Sequence, residues 1–226
     1  MRRKLKKLRL RPIRVFLFHQ VSDVFDQDTM KICDWTETQL FKKNIGMLKK
    51  KYLFVSLEIA YQKMSKDVFR FRNYAVLTSD DGWASLSNVL PWLAQQNVPV
   101  TLFLNPGYFD GQHFRDIDTE QYLLEADIQQ IADNYPNVTF GTHGWEHKRA
   151  TEQNETQFRE SVSNSLKVLQ VYPNFIPYFA YTYGGFNAMT GRILKDYGLV
   201  PVLIDGMKNW DDLSCIHREL LDGNKF

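Results

Sequence analysis

Short β-rich runs alternate with longer helical stretches along this chain, and that alternation restricts the fold more than any other feature. Ile13–Phe18 reads as a strand, and Asp34 to Tyr52 as a helix with Leu40, Phe41, Ile45 and Leu48 at helical spacing. Tyr74–Leu77 is a second strand, followed by Gly82 and a helix carrying Leu86, Val89, Leu90 and Leu93. Val98–Leu104 is a third, ended by Asn105-Pro-Gly. Thr119 to Tyr135 is helical along Leu123, Leu124, Ile128 and Ile131, and Val138–Phe140 is a short buried strand. Thr151 to Val171 is a long amphipathic helix with Phe158, Val162, Leu166 and Leu169 facing in. Ile176–Tyr181 and Leu199–Ile204 read as strands around a helix at Ala188–Tyr197, and Ser214–Leu220 closes the set. Such a pattern calls for right-handed βαβ units around a parallel sheet. About seven strands of this kind form a barrel or an open doubly wound sheet, and either places function on loops beyond the strands' carboxyl ends.

Composition supports one core and excludes several classes. Hydrophobic residues are 44% of the 226 and charged residues 24%, which rules out a disordered or collagen-like chain. Apolar stretches such as Val98–Leu104 and Gly198–Ile204 fall far short of the ~20 residues a membrane helix needs. Net charge is +2, yet eight basic residues lie within the first fourteen positions. Removing them leaves 20 basic residues against 26 acidic, a balance of −6. Nucleic-acid binding by the body gains no support from that sign. Residues 1–12 read as a basic tail and 13–226 as the domain. The tail offers peripheral contact with an anionic membrane. The apolar run after it, Val15–Phe18, is too short for a secretory signal, so the expected location is cytoplasmic. Cys33 and Cys215 have no metal spacing and read as buried thiols.

Three polar clusters follow directly on strands. Thr78-Ser79-Asp80-Asp81-Gly82 sets two acids side by side, a costly arrangement unless a cation or proton offsets the repulsion. Thr142-His143-Gly144-Trp145-Glu146-His147 spaces two histidines four apart, which suits a metal. Tyr181-Thr182-Tyr183-Gly184-Gly185 follows the strand Ile176–Ala180, and His19 also leaves a strand. Taken singly, each has a plain structural reading as cap, surface pair or turn. Their joint occurrence at strand exits favours a site.

These residues resemble the polysaccharide deacetylases, the NodB-homology domains of carbohydrate esterase family 4. Thr78–Gly82 is similar to the family's TFDDG motif with Ser in place of Phe, and Thr142–His147 to its HxxxH motif. Ala180-Tyr181-Thr182-Tyr183-Gly184 is similar to RPPYG, of which only Tyr-Gly survives. Leu17-Phe18-His19 resembles the LxH motif moved to the front, as in the circularly permuted branch of biofilm-polysaccharide deacetylases.

The resemblance implies a distorted (β/α)7-type barrel. It further implies that Asp81, His143 and His147 hold a divalent metal, zinc before cobalt, nickel or iron. Asp80 would be the base, His19 the acid and the Tyr183 backbone N–H an oxyanion donor, with Trp83, Trp145 and Tyr181 packing against sugar. The substrate implied is an acetylated amino sugar in a polysaccharide or a lipid-linked saccharide. The arginine that steadies the base in the family is Ala180 here, so Asp80 must be oriented by another group. His217 competes with His19 for the acid role. A second reading is a carbohydrate-binding relative without turnover. A third is an HxxEH metallopeptidase with Glu146 as base and Glu219 as a distant ligand.

Overall fold

The computed structural model describes residues 11–24, 34–65, 72–111, 122–209 and 212–221. Residues 1–10 of the basic head, Cys33 and His113 lie outside the described residues. In chain order the elements are β1 (Arg14–Phe18), β2 (Gln20–Val21), β3 (Trp35–Thr36), α1 (Thr38–Lys51), β4 (Leu53–Phe54), α2 (Leu57–Ser65), β5 (Tyr74–Ser79) and α3 (Leu90–Gln95). They continue with β6 (Val100–Leu104), α4 (Glu125–Asn134), β7 (Val138–Thr142), α5 (Glu155–Leu169), β8 (Phe175–Ala180), α6 (Ala188–Asp196), β9 (Val200–Ile204) and β10 (Ile216–Leu220). None of these helices is long and apolar enough to cross a membrane.

The sheet closes. β5 through β10 follow one another in parallel, and β1 lies between β10 and β5 to complete a seven-stranded ring. Of the two architectures open to a chain with this alternation, the barrel forms. β4 pairs with the first residues of β5, while β6 pairs with its last three. Closure fixes which side chains point inward, because alternate residues of a strand face opposite ways. Val15, Val76, Phe103, Tyr178, Val202 and Ile216 fill the interior cluster, joined by Leu57, Ala60 and Met64 of α2. Phe16, Leu77, Leu102 and Phe140 face the outer layer that includes α1 and α4, and Phe158, Ile193 and Leu203 belong to a second outer cluster. At Gly141 a Cβ would come within 2.5 Å of the Phe103 ring, so the bare backbone there lets the phenyl occupy the lumen.

Several element ends depart from the periodicity for local reasons. α1 starts at Thr38 because Trp35–Thr36 pairs with Gln20–Val21 as a small parallel sheet. α5 starts after Asn154, whose side chain accepts from the Gln157 N–H while the Gln157 side chain accepts from the Asn154 N–H. The segment after Gly82 splits into a 3₁₀ turn, Ala84–Asn88, and the short α3 with Pro91 near its start. α2 was not legible from spacing at all. β5 and β7 each run two residues further than the apolar pattern, through polar Thr78-Ser79 and through Gly141-Thr142.

Candidate metal centre

The acid pair owes its placement to two consecutive left-handed residues. Asp81 has φ of 71° and Gly82 of 76°, which turns the chain sharply at the exit of β5. Asp80 and Asp81 are 3% and 8% exposed, so neither charge is relieved by bulk water. Trp83 Nε1–H donates to Asp81 Oδ2 at 3.1 Å, which leaves Oδ1 facing the histidines. His147 Nε2 lies 3.0 Å and His143 Nε2 3.5 Å from that oxygen.

The histidine segment is a clamped loop rather than a helix. Asn105 Nδ2 donates to the carbonyls of His143 and Gly144, the His147 N–H donates to the Tyr108 hydroxyl, and the Trp145 N–H donates to Ser161 Oγ. Thr182 Oγ1 donates to the Lys148 carbonyl. His143 Nδ1 sits 2.8 Å from the Ala180 carbonyl, a partner that accepts only, so Nδ1 carries the proton. When His143 is neutral, its Nε2 turns a lone pair toward Asp81 Oδ1. Two acceptors at 3.5 Å repel unless a proton or cation lies between them. Asp81, His143 and His147 each offer a ligand atom within 4.8 Å of the others. One carboxylate and two imidazoles, with an outer partner fixing the tautomer, fit a divalent cation.

Asp80 has a partner that the sequence did not disclose. Arg218 of β10 is 1% exposed and grips it at both oxygens, with Nη1 to Oδ1 at 2.6 Å and Nη2 to Oδ2 at 2.8 Å. Its Nε donates to the Leu203 carbonyl, and the guanidinium lies 5.2 Å from the centre of the Phe103 ring. Burial by itself would push the Asp80 carboxyl up. The charges of Arg218 and His143 outweigh it and hold the group below the ordinary carboxylate range. Burial likewise opposes a charged His143, yet Asp80 and Asp81 prevail and raise its pKa. The one available signal for Arg218 was an arginine at an alternate position of a closing strand.

His19 leaves β1 beside Asp80, since Phe18 registers with Ser79 and Ser79 Oγ donates to the His19 carbonyl. Its imidazole is near enough for its charge to help depress Asp80. Asp34 Oδ2 lies 3.7 Å from His19 Nδ1, beyond hydrogen-bonding reach. His217 faces away from the site, because it alternates with inward Arg218. Its Nδ1 meets Asp205 at 2.7 Å and its Nε2 lies 3.5 Å from Cys215 Sγ, and that thiol is only partly buried. Tyr183 adopts φ of 53° in the turn after β8, and its ring packs edge-on against His147 at 4.6 Å.

Two of the three aromatics expected against sugar lie in the core instead. Trp83 is fully buried and stacks on Tyr122, and its indole N–H orients Asp81. Tyr181 is 2% exposed and packs on Phe179. Both side chains sit under the rim, where apolar burial outweighs exposure. Trp145 is half-buried at the surface. Among the described residues the metallopeptidase arrangement does not form: Glu146 pairs with Lys148 at 2.5 Å, Glu219 pairs with Arg14, and the two histidines do not sit on a helix.

The family model described as polysaccharide deacetylase matches residues 71–202. Comparison with curated proteins gives no match. Among solved structures, the Streptococcus pyogenes deacetylase PplD in complex with acetate is similar at TM-score 0.76 and 19% identity, covering 95% of this chain and 94% of that one. IcaB from Ammonifex degensii is similar at TM-score 0.77 and 18% identity, covering 93% and 92%. The BpsB deacetylase domain from Bordetella bronchiseptica is similar at 0.73 and 20%, covering 93% and 96%. At these identities the likeness is one of fold.

Proposed function

This chain belongs to the polysaccharide deacetylase family, and we propose that it hydrolyses the N-acetyl group of an amino sugar with Asp80 as base and His19 as acid. The observation that carries the reading is the convergence of ligand atoms from Asp81, His143 and His147 beside a carboxylate held ionised by Arg218. Those three side chains would hold the cation, and zinc suits their carboxylate–imidazole set. A bound divalent ion supplies Lewis acidity and lowers the pKa of water.

Asp80 takes a proton from the attacking water as the new C–O bond forms at the acetamide carbonyl carbon. The charge that develops on the carbonyl oxygen meets the Tyr183 backbone N–H. His19 then gives a proton to the nitrogen as the C–N bond breaks, which leaves a free amine and acetate. Arg218 keeps Asp80 ionised and fixes both its oxygens, the part played in the family by the arginine that Ala180 replaces. A polymer and a lipid-linked precursor both present the acetamido unit this chemistry needs.

The test is acetate release from N-acetylglucosamine oligomers by zinc- or cobalt-loaded protein. Asp80→Asn should lower turnover by about 10²–10⁴-fold, the usual worth of a positioned base, while metal content stays equal to wild type. Absence of acetate from every acetylated sugar tried, with folded and metal-loaded protein, would replace the hydrolase by the carbohydrate-binding reading.

A further inference from the structure

A groove of about 490 Å³ opens outside the barrel, between the histidine loop and α5. Gln157, Glu160, Ser161 and Asn164 form its wall at spacings of three and four, which is one face of the helix. Trp145 borders it and also borders a second cavity of about 190 Å³. A Cβ at Gly107 would come within 3.0 Å of the indole Nε1, so a bare backbone makes room for the ring. The groove flanks the site: Glu146 and Lys148 of its lining adjoin His147 in the chain, and Arg149 lies over the Tyr183 ring at 4.8 Å, which packs on His147.

Its chemistry is that of a sugar surface with one sign of charge left over. The indole supplies a flat apolar face, and with Gln153 Nε2, Gln157 Oε1 and Asn164 Oδ1 engaged within the chain, the other atom of each amide is what can meet a hydroxyl. The basic residues of the groove are committed, Lys148 to Glu146 and Arg149 to Glu152. Glu160 is the lining carboxylate that neither ion pair neutralises. We propose that this groove binds amino-sugar units that already carry a free ammonium, so that the chain prefers stretches of polymer next to units it has deacetylated. The inference rests on the deacetylase reading, since that reaction leaves a cationic amine on the neighbouring sugars.

Calorimetric titration of the metal-loaded protein with glucosamine tetramer and with N-acetylglucosamine tetramer, in mildly acidic buffer, tests it. Wild type should prefer the cationic oligomer, and Glu160→Gln should weaken it by about fivefold, the upper scale of one exposed ion pair, while leaving the acetylated oligomer unchanged. Glu160→Lys should abolish the preference. Equal binding of the two oligomers by wild type, or glucosamine affinity in Glu160→Gln within twofold of wild type, overturns the proposal. Acetate release by wild type is measured apart. Its absence, with Glu160-dependent glucosamine binding intact, would fell the hydrolase and leave the groove standing.

Discussion

Arg218 decides the character of Asp80, and it does so from a strand almost 140 residues away in the chain. A carboxylate with 3% exposure stays charged only when paired, and the bidentate guanidinium provides both the charge and the aim. Lysine could supply the charge alone. Arg218→Lys should therefore retain the fold, lower kcat by at least about tenfold and leave KM nearly unchanged, because a single-point donor lets Asp80, the proposed base, rotate out of place. Arg218→Met should instead strand a buried charge, a defect that costs about 3–5 kcal/mol, and should fail mainly by unfolding. Steady-state kinetics beside a thermal melt separate the two outcomes. Equal kinetics for Arg218→Lys and wild type would remove Arg218 from the mechanism.

Strands β5, β6, β7 and β10 build that pair together. Gly141 on β7 leaves space for Phe103 on β6, the Phe103 ring lies against the Arg218 guanidinium on β10, and Arg218 meets Asp80 at the exit of β5. A methyl at Gly141 would lie 2.5 Å from the phenyl and 3.1 Å from the Tyr178 carbonyl. Gly141→Ala should cost about 1–3 kcal/mol by overpacking, and should also lower kcat because the displaced ring pushes the guanidinium. Phe103→Leu in the same chain should recover part of the stability by emptying the collision. If Gly141→Ala melts and turns over like wild type, the four strands are not coupled through that ring.

At the scale of the whole molecule, closure brings Asp80, Asp81, His143 and His147 together, so stability should depend on pH and, through the proposed cation, on metal. His143 has a folded pKa above its ordinary value near 6.5. Its charged form stabilises the metal-free protein below that value, and the contribution is lost as pH rises through the folded pKa. Asp80 works in the opposite sense: its depressed pKa gives stability above the ordinary carboxylate value, lost as pH falls through the folded one. A metal competes with the proton on His143, so zinc should bind more tightly as pH rises. Metal-free protein should melt earlier on the alkaline side, while zinc at a hundred times its Kd should add about 2.7 kcal/mol and abolish that decline. Parallel melting curves with and without zinc across pH would refute a cation between these side chains.

The chain by itself determined the alternation, and with it the parallel strands and the rim where chemistry collects, because periodicity and turn chemistry are local. It also determined the Asp80–Asp81 and His143–His147 groups, since each lies within a handful of consecutive residues at a strand exit. It did not determine that the ring closes through β1 and β10, nor that Trp83 and Tyr181 turn inward, nor that Arg218 replaces what Ala180 lacks. Those follow from which strands become neighbours, and strand adjacency is a long-range packing outcome that no window of residues contains.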